Sequence, residues 1–297
     1  MTDTQSAPTT VQRVREALVN SVVSVGRDGR GTGFVVADGR VLTNAHNLRD
    51  RTTSITFDDG RVTQAEVAGI DVDGDLVVLA VDTAGAPTLT WGDSNSVADG
   101  SGADSAGRGG GRLRITRGDV TGVDAEFRGP RGRTIRGGLE HTAPMARGAS
   151  GGPVVDAAGA VVAINTHRAG EGFYLARLAD DALQNRVAKL VAGERVETPK
   201  LGVTLAPSAV AQKLRAAVGL SPRDGLLVRA VAADSAAAAA GIKEGDLIVG
   251  AGDTAVVTID DLHTALDAAV VASSQSLQLR LVSGETERET TVTWAAS

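Results

Sequence analysis

The chain has 297 residues, of which 42% are hydrophobic and only 2% aromatic, and carries a formal net charge of -6. That charge leaves no basic surplus to neutralise phosphates, which argues against a nucleic-acid partner. The absence of cysteine excludes disulfides and thiolate metal sites, and four scattered histidines give no metal-ligating pair, so neither a metal nor any other cofactor is expected. At about 150 residues per domain the length suits two domains. With so few aromatics their cores have to come from Val, Leu, Ile and Ala, and 37 glycines mark many turns.

Residues 1–10 are polar or small, with no basic start and no apolar run, and are expected to be a disordered segment rather than a signal peptide. No window approaches about 18 apolar residues, so no membrane segment is expected. The chain as written reads as cytoplasmic; the alternative is export under a signal absent from these 297 residues. Val11, Val14, Leu18 and Val19 sit at helical spacing, predicting a short amphipathic helix that leads into a strand over 22–25. Asp38-Gly39 between apolar runs 34–37 and 40–43 predicts a tight hairpin, and Asp59-Gly60 repeats the signal. Residues 76–81 are apolar throughout, as in a strand buried on both faces.

Residues 99–111, rich in Gly, Ser and Asp, read as a loop or weak strand. Short strands are predicted at 113–115 and 120–123, and a solvated loop over 127–136 with Arg128, Arg131, Arg133 and Arg136, docking of an acidic partner being the alternative there. A hairpin about Ala158-Gly159 and a helix over 182–191, stopped at Gly193, complete a first domain of residues 11–193. A charged linker over 194–199 precedes a small α+β domain over 200–297. Its predicted elements are a capped helix at 236–240, a helix at 262–270 opened by a capping box at 258–261, and a final hairpin around Ser283-Gly284.

Three motifs carry chemistry. Thr43-Asn44-Ala45-His46, Asp75-Leu76-Val77-Val78-Leu79 and Gly148-Ala149-Ser150-Gly151-Gly152-Pro153 run in the order His, Asp, Ser. A serine hydroxyl becomes a useful nucleophile when an imidazole takes its proton, and the imidazole needs a carboxylate to fix its tautomer. His46, Asp75 and Ser150 are therefore the candidate triad. The amides of Gly148 and Ser150 are the candidate oxyanion hole. Of the acids in 71–75, Asp75 alone directly precedes the buried strand, and Asp71 and Asp73 are expected to be solvated.

With these motifs in place, the chain resembles an HtrA-type (Deg-type) serine protease. That resemblance implies a mainly β fold, a chymotrypsin-like double antiparallel β-barrel followed by a small α+β PDZ domain. It implies a serine endopeptidase acting on unfolded or extended polypeptides, with Ile164, Asn165 and Thr166 pairing with substrate. It further implies that the second domain binds peptide C-termini through Leu201, Gly202 and Val203, with Leu262 and Leu266 on the opposite wall, although core packing of those two leucines is an equal alternative. A homotrimer is implied as well. The rival reading is a catalytically weak binding or chaperone protein. The chain departs from the family at Ala149, where Asn or Asp is usual, at Asn47, usually Val, and at 99–111, where an apolar strand is usual; Met145 and Arg147 also alter the approach to Ser150.

Overall fold

The computed structural model describes residues 10–129, 134–196 and 198–295. Residues 1–9 of the expected disordered segment, Arg131 and Arg133, residue 197 of the expected linker and residues 296–297 lie outside them. The chain divides into two compact units, Met1–Val196 and Glu197–Ser297.

In the first unit, α1 (Thr10–Leu18) buries Val14 and Leu18, one helical turn apart, and leaves Val11 exposed. The strands β1 (Val22–Val25), β2 (Gly31–Ala37), β3 (Arg40–Thr43), β4 (Thr52–Thr56), β5 (Val62–Asp71) and β6 (Leu76–Ala80) form a closed antiparallel barrel in the order β1-β2-β3-β6-β5-β4. Gly39, at φ 65°, makes the expected β2–β3 turn, and Phe34 pairs with Leu42 beyond it. Val23, Val25, Val35, Val41, Ile55, Val77 and Leu79 fill the interior. Closure leaves no sheet edge open in this barrel.

A second closed barrel follows in the order β10-β11-β12-β9-β8-β7, from β7 (Gly102–Gly107), β8 (Arg114–Arg128), β9 (Thr134–His141), β10 (Pro153–Val155), β11 (Val161–Gly170) and β12 (Phe173–Leu178). One expectation is settled here and another corrected. The segment 99–111 contains a full strand, β7, paired to β8 on one side and β10 on the other. Its buried residues are Ala103, Asp104, Ser105, Ala106 and Gly107, too small or polar to announce a strand by hydrophobic pattern. The described ends of the arginine-bearing segment are strand, not loop: Arg128 at the end of β8 pairs with Thr134 at the start of β9, and Phe127 with Ile135. Most of β8 faces solvent, so its apolar signal is weak, and ladder hydrogen bonds carry it. Helix α2 (Asp181–Val191), capped by Asp180 on the Leu183 amide, closes the unit by burying Leu183, Val187 and Leu190.

The second unit is one antiparallel sheet in the order β13-β14-β15-β17-β18, with the short β16 on β15. Its strands are β13 (Val203–Ala206), β14 (Leu226–Val231), β15 (Leu247–Ala251), β16 (Thr254–Ala255), β17 (Ser276–Ser283) and β18 (Thr286–Thr293). The helices α4 (Ala236–Ala239) and α5 (Ile259–Val271) start where their caps predict: Ser235 accepts from the Ala238 amide, and Thr258 with Asp261 forms a capping box. A further helix, α3 (Ser208–Ala217), has no counterpart among the predicted elements. Its buried face is Ala211 and the stem of Arg215, which gives little amphipathic contrast.

Candidate active site

His46 lies in a single 3-10 turn, Ala45–Asn47, immediately after β3, and Asp75 lies immediately before β6. Thr43 pairs with Val77, so the ladder brings the two loops together. The imidazole Nδ1 is 2.7 Å from Asp75 Oδ2, while the His46 backbone amide donates to Oδ1 at 3.0 Å. Both carboxylate oxygens thus hold the same residue, which puts the proton on Nδ1 and leaves the Nε2 lone pair outward. Asp75 is 3% exposed. Its φ of 57° is a left-handed conformation that Asp enters more readily than most side chains.

That conformation is clamped from below. Asp71 accepts the Gly74 amide at 2.7 Å and the Arg186 guanidinium at 2.6 Å, and Arg177 donates to the Gly74 carbonyl at 2.6 Å. Asp71, expected to be solvated, is instead 1% exposed, because α2 brings Arg186 against it. Burial, with Arg186 close by, holds the Arg177 guanidinium below its ordinary pKa. The second barrel, through Arg177 on β12, therefore fixes the loop that carries the carboxylate of the first.

Ser150 follows a turn in which Ala149 donates to the Ala146 carbonyl. Gly148 has φ 80°, and a Cβ there would stand 2.3 Å from the Gly29 carbonyl oxygen, so glycine is required on both counts. Among the described residues, no acceptor meets the amide of Gly148 or of Ser150. The turn is held instead by its carbonyls. Thr32 donates its amide to the Ser150 carbonyl at 2.9 Å and its hydroxyl to the Gly148 carbonyl at 2.6 Å. Asn47 Nδ2 donates to the Ser150 carbonyl at 2.9 Å and to Thr43 Oγ1 at 2.9 Å. The Arg108 amide completes the set by donating to Thr32 Oγ1. The side-chain tether missing at Ala149 is thus supplied from the histidine loop by Asn47, itself one of the departures from the family pattern. Thr32 and Arg108 had no sequence signal, since only the fold sets them against the turn.

The Ser150 hydroxyl donates to the Thr166 carbonyl at 2.5 Å. Ile164, Asn165 and Thr166 are all fully buried in β11. Asn165 exchanges both backbone bonds with the nucleophile turn, donating to the Gly152 carbonyl and accepting from the Gly151 amide. Its side chain bridges Ser105 Oγ and His141 Nε2. His141 is itself buried and stacks on Tyr174 at 5.8 Å between ring centroids. Burial pushes the His141 pKa down, and burial with the nearby charge of His46 pushes His167 down. Met145, Ala149 and Tyr174 form a small apolar cluster beneath the turn.

In the second unit, Gly202 has φ 76°, and a Cβ would meet Ser235 at 2.2 Å. Val203 opens β13, which pairs with β14 on one side and with no described strand on the other. Leu201 is 5% exposed and Leu262 and Leu266 are 2% exposed, all within one core cluster with Ile248, Leu279 and Leu281. The two α5 leucines therefore sit as core residues, because the helix turns that stripe onto β15 and β17.

Residues 31–164 match the family described as a trypsin-like peptidase domain. A Synechocystis sp. protein named as a serine protease, HhoB, is 30% identical over 268 residues, covering 85% of this chain and 63% of that one. A Brucella suis biovar 1 protein named "Probable periplasmic serine endoprotease DegP-like" is 31% identical over 287 residues, covering 90% of this chain and 52% of that one. The chain thus spans between half and two thirds of the length of these relatives. The solved structure of the HtrA-type protease AlgW with a decapeptide superposes with a TM-score of 0.79 at 20% identity, covering 98% of this chain and 99% of that one. The likeness in fold extends over both units.

Proposed function

We propose that this chain, which is of the HtrA/DegP type with a trypsin-like peptidase domain, is a serine endopeptidase that cuts extended polypeptide segments through an acyl-enzyme. The observation that carries this reading is His46 held by both oxygens of a buried Asp75, one on its imidazole and one on its backbone amide, with its neighbour Asn47 bonded to the carbonyl of Ser150. The His46–Asp75 pair and the backbone of the Ser150 turn are thus tied to one another, while the Ser150 hydroxyl itself bonds to Thr166. In the resting chain the serine proton is held by Thr166, so the hydroxyl first turns from that carbonyl to His46 Nε2 as substrate settles.

Oγ then bonds to the scissile carbonyl carbon while Nε2 takes the proton, and the carbonyl oxygen takes up negative charge against the amides of Gly148 and Ser150. Each such donor contributes about 3 kcal/mol to the transition state. The imidazolium, steadied by an ionised Asp75, gives its proton to the departing amine as the C–N bond breaks. Water, deprotonated by His46, attacks the ester; as the C–Oγ bond breaks, the imidazolium returns its proton to Ser150 Oγ and the new carboxyl terminus is released. No step asks for a metal or cofactor.

The second unit reads as a PDZ-type module: β13 offers an outer edge paired with no described strand, to which a peptide C-terminus adds as a strand, with its carboxylate at the 201–203 turn. Leu262 and Leu266, being core residues, are left out of that groove. Trimer formation rests on family resemblance alone. Relatives named as periplasmic favour the exported alternative over a cytoplasmic location. Among the described residues no helix is long and apolar enough to cross a membrane.

The test is labelling by a fluorophosphonate together with mass-spectrometric mapping of products from an unfolded protein. Wild type should label at Ser150 and cut; Ser150→Ala should do neither, with turnover falling about a millionfold, the usual loss for a triad serine. A wild type that folds yet neither labels nor cuts would return the chain to the non-enzymatic binding class.

A further inference from the structure

Arg27, Arg30, Arg49, Arg114 and Arg147 line one cleft of the first unit, and the acidic residues lining it with them are Asp28 and Asp50. All seven residues are exposed. Among the described residues, none of the five guanidinium groups has a hydrogen-bond or ion-pair partner. Some exposed arginines elsewhere among the described residues are answered by carboxylates, as in Arg117–Asp104, Arg136–Glu126 and Arg223–Glu287, and others stand singly; what sets this cleft apart is five gathered in one concavity. A concentration of unanswered like charge in a concave site raises the local potential and draws anions to it.

The cleft adjoins the candidate catalytic group. Asn47, next to His46 and bonded to the Ser150 carbonyl, is part of its wall, and Arg147 directly precedes Gly148. Gly29, against which Gly148 packs, lines it too. No lining residue comes from β11 or β12, the strands beside which the acyl side of a substrate is expected, 164–166 themselves being buried with Asn165 and Thr166 bonded to the nucleophile turn. We infer that this cleft receives the substrate on the leaving-group side of the cut and selects Asp or Glu in the first few positions there. The inference rests on the reading of His46 and Ser150 given above. Guanidinium forks match carboxylates two bonds at a time, which suits acidic side chains. A nucleic acid fits less well, since the chain as a whole carries a net charge of -6 and the arginines are confined to the flank of the nucleophile.

Three C-terminally amidated peptides with one common acyl side and Asp-Glu-Asp, Ser-Gln-Ser or Lys-Lys-Lys after the cut read this selection. Three exposed arginine–carboxylate pairs together amount to roughly tenfold. Wild type should therefore cleave the acidic peptide with kcat/KM about tenfold above the neutral one, and the gap should close in 0.5 M NaCl as screening sets in. The double variant Arg30→Glu/Arg49→Glu should invert the order in favour of lysine. Equal kcat/KM for all three peptides at low salt, from an enzyme that labels with fluorophosphonate, overturns the inference and leaves the hydrolase reading standing; failure to label sinks the hydrolase reading instead. Fluorescence anisotropy on the full-length Ser150→Ala chain reads the cleft without chemistry. There, the absence of a salt-sensitive preference for the acidic peptide, or tighter binding of a single-stranded oligonucleotide, overturns the inference whether or not anything is cleaved.

Discussion

Asn47 is 3% exposed, and its amide satisfies two acceptors that belong to different parts of the candidate site, Ser150 O and Thr43 Oγ1. Replacing it by Val, the residue usual in the resembling family, removes both bonds and leaves a buried carbonyl partly unanswered, a loss on the order of 1–3 kcal/mol. Because the lost bond holds the nucleophile turn rather than any substrate, Asn47→Val is expected to lower kcat and the rate of fluorophosphonate labelling about tenfold or more while KM stays nearly constant. A change confined to KM would show that Asn47 does not position Ser150. The triad candidates were legible because each sits in a motif with its own chain context, and the structure pairs His46 with Asp75 at hydrogen-bond distance. Asp71 was misread as solvated for a physical reason: a carboxylate in an Asp-rich loop looks hydrated until a helix more than 100 residues later supplies Arg186.

At the scale of elements, β7 illustrates how a strand can lack a sequence signature. Its small buried residues are specified by neighbours on both sides, β8 and β10, and its end is anchored by Arg108, which is 1% exposed. The Arg108 guanidinium donates to the carbonyls of Val19, Val22 and Gly111 and to Asp58, so the strand end is stitched to α1, β1 and the β4–β5 loop. Its amide reaches Thr32, which in turn holds Gly148. Arg108→Met keeps much of the volume and orphans three carbonyls; at about 1 kcal/mol for each, the first unit is expected to lose about 3 kcal/mol in urea unfolding. Labelling at Ser150 should slow in parallel under conditions where the variant remains folded. Unchanged unfolding would refute the anchor. The helices, by contrast, were largely readable from their caps, α3 being the exception because alanines give both of its faces nearly the same character.

For the molecule as a whole, the two histidines held below their ordinary pKa make stability depend on pH in a definite direction. Between its depressed folded value and about 6.5, each histidine binds fewer protons in the folded than in the unfolded state. Stability is therefore full above about pH 6.5 and declines as pH falls through that window, by at most about 1.4 kcal/mol per unit for each histidine. Urea midpoints followed by Trp91 fluorescence in a Trp294→Phe background should fall between pH 7.5 and pH 5. His141→Gln, which keeps a donor for Asn165, should flatten the slope; an unaltered slope would clear His141 of the effect. The sequence by itself determined the mainly β class, most turns and caps, and the identity and order of the three reactive side chains, since periodicity, left-handed turn residues and motif spacing are local properties. Only the tertiary structure decided what holds those side chains: the tether from Asn47, the Arg108 anchor, the Asp71–Arg186–Arg177 clamp and the gathering of five arginines into one cleft. Those are contacts between segments far apart along the chain, and no local pattern encodes which of them the closure of a barrel will bring face to face.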